Sequence, residues 1–323
     1  MRPIGVIFNP FAYINRKGTE KQLYRIKEAL DESALVCVTK NEGDIHSALE
    51  EFYKEGITIL GISGGDGTIS SVLTSYINLF DDRDLPLVVP LKGGTMNMII
   101  GDAGLRGDQI SVCKELLRCI KSKRQIPTIE RGLIRVIDPR YEYNKYAFTW
   151  VDGFLYRFTK WYYREGGGVG LALKLILKAA ITSFTNSTHD LFDEVESRVY
   201  LNDEKIPFES HLFILAASVK RFVFGFRVFT DELVPGKKFG MLYIRLPYFR
   251  KALYRFPIAL YKGLKSDATG NFMNQSLQSL TVEGNRGYII DGEVHDSDKV
   301  IDIRLEAGPK IRIFSPKDVA GFV

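Results

Sequence analysis

Residues 57–80 read ITILGISGGDGTISSVLTSYINLF. The first part, Ile57–Ser63, is an apolar, β-branched run of strand length. In the second part Ile69, Val72, Leu73, Tyr76 and Phe80 recur at i, i+3, i+4, i+7 and i+11, which predicts a helix. Between them stands Ser63-Gly64-Gly65-Asp66-Gly67-Thr68. Glycines allow positive φ and close backbone approach, so successive N–H groups can line a concavity for phosphate oxygens. The following helix N-terminus adds its positive dipole end. Thr68 can donate a hydroxyl hydrogen bond or cap the helix. Asp66 is unfavourable beside phosphates unless it holds a metal or a ribose hydroxyl, or caps backbone N–H groups. A tight βα turn without a ligand would share these glycines. Three of them with an Asp and a Thr, at the ligand-binding end of a parallel sheet, favour a nucleotide site.

The same alternation runs outward from this stretch. Ile4–Phe8 reads as a strand, Thr19–Leu30 as a helix, Ala34–Thr39 as a strand and Asp44–Lys54 as a helix. Leu87–Pro90 is a fourth strand, and a helix around Ile110–Ile120 closes the series. Strands alternating with helices imply a parallel sheet covered on both faces, which binds ligands at the C-terminal ends of its strands. Near residue 125 the character changes. Thr128–Ile137, Tyr146–Val151, Glu196–Leu201, Leu212–Val219, Phe222–Phe229, Met241–Leu246, Ser279–Glu283, Tyr288–Ile290, Val300–Leu305 and Lys310–Phe314 read as strands. Turn signals at Asn202-Asp203, Glu283-Gly284-Asn285 and Asp291-Gly292 separate several of them. Helical stretches at Leu171–Phe184 and about Phe249–Leu264 interrupt the strands. The expected architecture is a doubly wound α/β domain over residues 1–125, followed by an antiparallel β domain with helical insertions over 126–308.

The chain has 323 residues, with 44 Lys+Arg against 39 Asp+Glu and a net charge of +5. That length suggests two domains. Hydrophobic residues at 45% and charged residues at 26% argue against a disordered chain. Three cysteines, Cys37, Cys113 and Cys119, lack zinc spacing and are too few for a disulfide framework. With Met1 running almost directly into an apolar strand, they predict a reducing, cytoplasmic setting. Val169–Phe184 is too short, and too charged at Lys174 and Lys178, to be a membrane span of ~20 residues.

A second loop, Pro90-Leu91-Lys92-Gly93-Gly94-Thr95-Met96-Asn97, follows the fourth strand and opens a helix at Met98. It would lie on the same sheet edge, where Lys92 could offset phosphate charge and Thr95 and Asn97 could bond to it. Near the C-terminus the strand Tyr288-Ile289-Ile290 ends in Asp291-Gly292-Glu293, two carboxylates on one turn. Phosphoryl transfer to an alcohol needs a base for the hydroxyl proton, neutralised phosphate charge and in-line positioning. Two carboxylates could divide these roles, although Asp-Gly is also an ordinary hairpin turn.

Gly64-Gly65-Asp66-Gly67-Thr68, then Gly94-Thr95-Met96-Asn97, then Asp291-Gly292-Glu293 resembles the diacylglycerol/sphingosine kinase catalytic-domain family, whose simplest members are bacterial lipid kinases. Asn9-Pro10, Thr39 and Gly153-Phe154 fall where that family has a first nucleotide loop, a Thr near the nucleotide and a glycine-containing segment. The resemblance implies an NAD-kinase-like α/β nucleotide domain and a β-sandwich lipid domain, with ATP and Mg²⁺ between them. It implies that a C-terminal strand, about 309–323, returns to the first domain. ATP phosphates would lie against Gly64, Gly65, Asp66, Gly67, Thr68, Gly94, Thr95 and Asn97, with Asn9 and Thr39 nearby. Asp291 and Glu293 would be the acid–base pair. The activity implied is ATP-dependent phosphorylation of a diacylglycerol-like or sphingoid lipid.

Three features depart from the family. The first loop carries bulky Phe11 and Tyr13, Met98 stands where the family has Asp, and Pro235–Met241 holds no carboxylate to support a metal ion. No metal ligand is assigned from the sequence. Two other readings stay open: an NAD kinase, which shares Gly-Gly-Asp-Gly but normally has a downstream Asn-Glu absent here, and a non-catalytic lipid- or nucleotide-binding protein on a decayed kinase scaffold. From Lys237 to Lys265 there is no Asp or Glu, and basic residues alternate with aromatic ones. That pattern suits a peripheral contact with an anionic membrane surface, or equally a core with one solvated face. No nucleic-acid motif accompanies it. A homodimer is an open expectation. His295, Asp296 and Asp298 read as surface residues, and His189-Asp190 as structural.

Overall fold

The computed structural model describes residues 3–81, 85–94, 97–123, 125–164, 192–222, 227–246 and 265–316. Four strands, β1 (Ile4–Phe8), β2 (Ala34–Val38), β3 (Ile59–Gly64) and β4 (Leu87–Lys92), lie parallel in the order β2-β1-β3-β4. The helices between them are α1 (Thr19–Leu30), α2 (Glu42–Lys54) and α3 (Asp66–Phe80), and α4 (Met98–Asp102) and α5 (Gln109–Lys121) follow β4. α1 packs with α5 and α2 with α3, so each pair covers one face of the sheet. Their apolar stripes decide this. Ile26 and Leu30 of α1 and Leu49 and Phe52 of α2 are buried, and so are Val72 and Leu73 of α3. Asn41 and Asp108 cap α2 and α5 by accepting N–H bonds from Asp44 and Ser111, 2.9 Å each.

The rest is mainly antiparallel. It comprises β5 (Thr128–Ile137), β6 (Lys145–Ala147), β7 (Thr149–Asp152), α6 (Gly153–Arg164), β8 (Val195–Glu196), β9 (Arg198–Leu201), β10 (Glu204–Lys205), β11 (Ser210–His211), β12 (Phe213–Ala217), β13 (Phe239–Ile244), β14 (Phe272–Leu277), β15 (Ser279–Ile290) and β16 (Glu293–Phe314). Strands β14-β13-β12-β7-β15-β16 are hydrogen-bonded in that order, and β16 continues the ladder into β4. Ile313 of β16 lies parallel to Val88, so the last described strand pairs with the first sheet. The first core therefore also buries Leu133, Phe148, Val219, Ile311 and Phe314. A second core gathers around Trp150, Tyr243 and Tyr288, and a third around Phe154, Phe192 and Phe213.

The fold class is the one expected, with local differences. Tyr146–Val151 is two short strands, because Phe148 interrupts the ladder and buries its ring in the first core. Val300–Leu305 and Lys310–Phe314 are one strand, and Gly308-Pro309 between them marks a register shift against β5. Glu283-Gly284-Asn285 is no turn but an irregularity inside β15. β14 and α6 were not expected. The expected helices at Leu171–Phe184 and Phe249–Leu264, residues 223–226 of the expected strand Phe222–Phe229, and His189-Asp190 lie outside the described residues, and the described residues 222 and 227–229 are not in a strand. Among the described residues no helix is long and apolar enough to cross a membrane.

Candidate active site

The two glycine loops meet back to back. Gly93 donates its N–H to the Gly64 carbonyl at 2.9 Å. A Cβ on Gly93 would stand 2.8 Å from the Gly64 Cα, and one on Gly94 would stand 2.5 Å from the Gly65 Cα. These glycines are glycines because backbone rests on backbone, a reason separate from phosphate binding. Asn97 closes the second loop in the left-handed conformation (φ 48°), its amide donating to the Gly94 carbonyl (2.7 Å) and accepting the Gly94 N–H (3.2 Å). Thr95 lies outside the described residues. Asp66 settles the choice left open in the sequence: its carboxylate accepts the N–H groups of Met98 (2.9 Å) and Ile99 (3.2 Å) and so caps α4. Burial pushes its pKa up, against the pull of those two donors.

A cleft of about 820 Å³ opens beside the loops. Asn9, Thr39, Gly67, Thr68 and Glu293 line it; Gly64, Gly65, Asp66, Gly94, Asn97 and Asp291 do not. One wall is the polar face of α3, where Gly67, Ser71, Thr74 and Asn78 stand at i, i+4, i+7 and i+11. The first-turn N–H groups of α3 have no intrahelical acceptors and carry the positive dipole end. Asn9 donates to the Thr68 hydroxyl oxygen at 2.9 Å, and Thr39 donates its backbone N–H to the Phe8 carbonyl at 3.0 Å. Asn15 holds the loop carrying Asn9: fully buried, it donates to the Asn9 carbonyl (2.7 Å) and the Ser63 hydroxyl (3.0 Å) and accepts from Gln109 (2.8 Å). Sequence reading missed Asn15 and Gln109, since nothing local marks a pair 94 residues apart.

The opposite wall comes from the β5–β6 connection and the β15–β16 turn. Tyr141, Tyr143, Lys145 and His295 face the cleft. Asp291 and Glu293 divide sharply here. Asp291 is only 6% exposed, and it accepts four hydrogen bonds: the Ser70 hydroxyl, the Phe148 N–H (2.9 Å), and the Thr149 N–H and hydroxyl (2.8 Å each). Burial pushes its pKa up to about 7; the donors pull it down and the neighbouring Asp66 charge adds to the rise. Ser70 lines the cleft, so Asp291 reaches the cleft through that hydroxyl. Glu293 is exposed, stands in the cleft and rests against Gly67, where a Cβ would meet its Oε1 at 2.6 Å. Desolvation raises its pKa and Lys145 lowers it.

His295 is not the simple surface residue expected. It is half-buried, stacks on Tyr288 at 5.0 Å and bonds the Tyr141 hydroxyl through Nδ1 at 3.0 Å. Burial, with Lys145 and Arg140, drops its pKa to about 4, which keeps it neutral. Lys92 is exposed and lies outside the cleft, so the cation expected to face phosphate is not delivered there. A second constellation, Asp152–His211–Ser197, has the composition of a nucleophile triad, with contacts of 2.8 and 2.7 Å. Asp152 also accepts from Ile214 N–H and the Asn285 amide, His211 is 0% exposed, and none of the three lines the cleft. It braces β7, β11 and β15. The described residues contain no group of three or more His, Cys, Asp or Glu able to hold a metal ion.

Comparison with known proteins adds to this geometry. No curated protein matches the chain. Among solved structures, a diacylglycerol kinase from Bacillus anthracis str. Sterne superposes with a TM-score of 0.61 at 13% identity, covering 99% of this chain and 98% of that one. Two proteins of the same organism provisionally assigned as diacylglycerol kinases superpose with TM-scores of 0.68 and 0.64, each at 14% identity. They cover 99% and 97% of this chain and 98% and 97% of their own. At such identities these likenesses establish the shared fold. Residues 3–128 match the family model of the diacylglycerol kinase catalytic domain, which places this stretch of the chain in that domain family.

Proposed function

We propose that the chain is a lipid kinase that transfers the γ-phosphoryl group of ATP to the hydroxyl of a diacylglycerol-like or sphingoid lipid. The observation that carries the reading is Glu293. It is a carboxylate with a raised pKa, set in a cleft against the first turn of the helix that the Gly-Gly-Asp-Gly-Thr loop opens. A base of that kind, close to a helix N-terminus suited to phosphate, is what phosphoryl transfer to an alcohol requires. Phosphate oxygens would meet the first-turn N–H groups of α3 and the Thr68 hydroxyl. Asn9 and Thr39 shape the nucleotide side of the cleft. The acceptor hydroxyl gives its proton to Glu293. Asp291 acts as a positioning residue: it fixes the turn bearing Glu293 and the Ser70 hydroxyl. A divalent metal, which the family implies, would bind the phosphates. Asp66 turns both oxygens to the N–H groups of α4 and Asp291 accepts four donors, and the described residues hold no group of three or more metal-ligating side chains, so no step here passes through one.

We also propose residues 1–125, with the end of β16, as the nucleotide unit and 126–308 as the lipid unit. The substrate is membrane-borne, and the basic–aromatic run Lys237–Lys265 is the segment suited to peripheral contact. The test is label transfer from γ-labelled ATP into vesicles holding a panel of diacylglycerol and sphingoid lipids, with a parallel assay for NADP formation. Label in a lipid band supports the reading. NADP instead would replace it with the NAD kinase, and bound ATP without transfer would replace it with the non-catalytic scaffold.

A further inference from the structure

Phosphoryl transfer brings several negative charges into the cleft, and positive charge has to meet them. Three sources expected to serve do not. Lys92 is exposed and outside the cleft. Asp66, which could have held a divalent ion, turns both carboxylate oxygens to the N–H groups of Met98 and Ile99. Asp291 accepts four donors of its own. Position 98 offers a methionine and the 235–241 loop no carboxylate. A metal ion held by protein carboxylates does not fit this donor set.

Lys145 stands where those sources are missing. It opens β6 and lines the cleft with Thr68, Ser71 and Glu293. Its ammonium rests 4.3 Å from the centre of the Tyr141 ring, and it is in no ion pair among the described residues. Thr74 fixes β6 against α3 from both sides, accepting the Tyr146 N–H at 2.9 Å and donating to the Tyr146 carbonyl at 3.3 Å. The lysine is thus carried by a strand anchored to the helix whose N-terminus faces the same cleft. A cation–π rest is a weak hold at such a site, and an anionic ligand can displace it readily.

We propose that Lys145 is the cation that receives the terminal phosphates of the nucleotide, in place of a metal ion ligated by protein carboxylates. This rests on the kinase reading above. In the step, the bond from the γ-phosphorus to its bridging oxygen breaks and a bond to the acceptor oxygen forms. The acceptor proton passes to Glu293, and Lys145 takes no part in the proton transfer.

The experiment is equilibrium binding of ATP and of adenosine in EDTA, for wild type, Lys145→Met and Lys145→Arg. The wild type is expected to bind ATP without divalent metal. Lys145→Met should weaken ATP at least tenfold and leave adenosine unchanged, and Lys145→Arg should recover most of the loss. In turnover, Lys145→Met should move the acid limb of the pH profile upward, because Lys145 holds down the pKa of Glu293. ATP binding by Lys145→Met equal to wild type, or wild-type ATP binding abolished by EDTA while adenosine still binds, would overturn the Lys145 assignment and leave the kinase reading standing. A wild type that binds neither ligand, with or without Mg²⁺, would overturn the kinase reading itself.

Discussion

Asp291 and Glu293 are two residues apart, and their surroundings give them different work. Asp291 has a folded pKa of about 7, well above the ordinary ~3.9 of an unfolded Asp. Below about pH 4 it is protonated in both states and adds no pH slope. Between about pH 4 and 7 the native state holds more protons, so stability falls as pH rises, and the loss is complete above 7. Asp291→Asn should remove this slope. It should also destabilise the protein by ~1–3 kcal/mol, because its NH₂ must face a hydroxyl or backbone donor that now lacks an acceptor. Denaturant midpoints from pH 4 to 8 measure both, and an unchanged slope would refute the assignment. If Glu293 is the base of the proposed transfer, it must be ionised, and activity should rise with pH through a midpoint above the ordinary ~4.3 of Glu. A pH–rate profile with its acid limb at or below that value would contradict this. At this scale the sequence showed both carboxylates but not their division. Four donors converge on Asp291 from positions 70, 148 and 149, and no local spacing reveals them. Asp66 was legible only as alternatives for the same reason, its cap lying 32 residues on.

α3 carries two readable stripes. The apolar one, from Ile69 to Phe80, predicted the helix. The polar one, Gly67, Ser71, Thr74 and Asn78, has the same period and marks the cleft wall, so the signal was present in the sequence. α6 was likewise readable from Phe154, Phe158 and Trp161 at i, i+4 and i+7, which pack on the third core; its aromatic richness hides it behind strand propensity. β14 escaped because an inward position holds Asn274, whose amide donates to the Val228 carbonyl at 2.9 Å. The loops offer a test at this scale. Gly94→Ala drives a Cβ to 2.5 Å from the Gly65 Cα, where only backbone can yield. It should cost ~1–3 kcal/mol and lower Tm by several degrees. A thermal melt identical to wild type would mean that the loops do not rest on each other in this way.

Across the whole molecule one strand joins what the sequence divides. β16 pairs with β15, β5 and β4, so the ladder runs from the antiparallel sheet into the parallel one. A buried ion pair fastens the same junction. Asp102 at the end of α4 takes the Arg131 guanidinium and the N–H groups of Lys220 and Arg221 (3.2 and 2.9 Å). Arg131→Met should cost ~3–5 kcal/mol, since it leaves a buried carboxylate short of its countercharge. Equilibrium denaturation checks it, and a loss below 1 kcal/mol would show that the pair is not buried as described. Alternating strands and helices made the parallel half legible from pattern alone, whereas the order of the antiparallel strands depends on pairings such as β5 with β16 and β7 with β15, more than a hundred residues apart. The cleft lies at this junction, and there the proposed function has Glu293 take the acceptor proton. The most direct measurement is single-turnover phosphoryl transfer from ATP to the lipid substrate at saturating ATP, comparing wild type with Glu293→Gln. A rate constant lower by about 10²–10⁴-fold, with ATP affinity unchanged, is the predicted result. A Glu293→Gln rate within threefold of wild type would contradict the account.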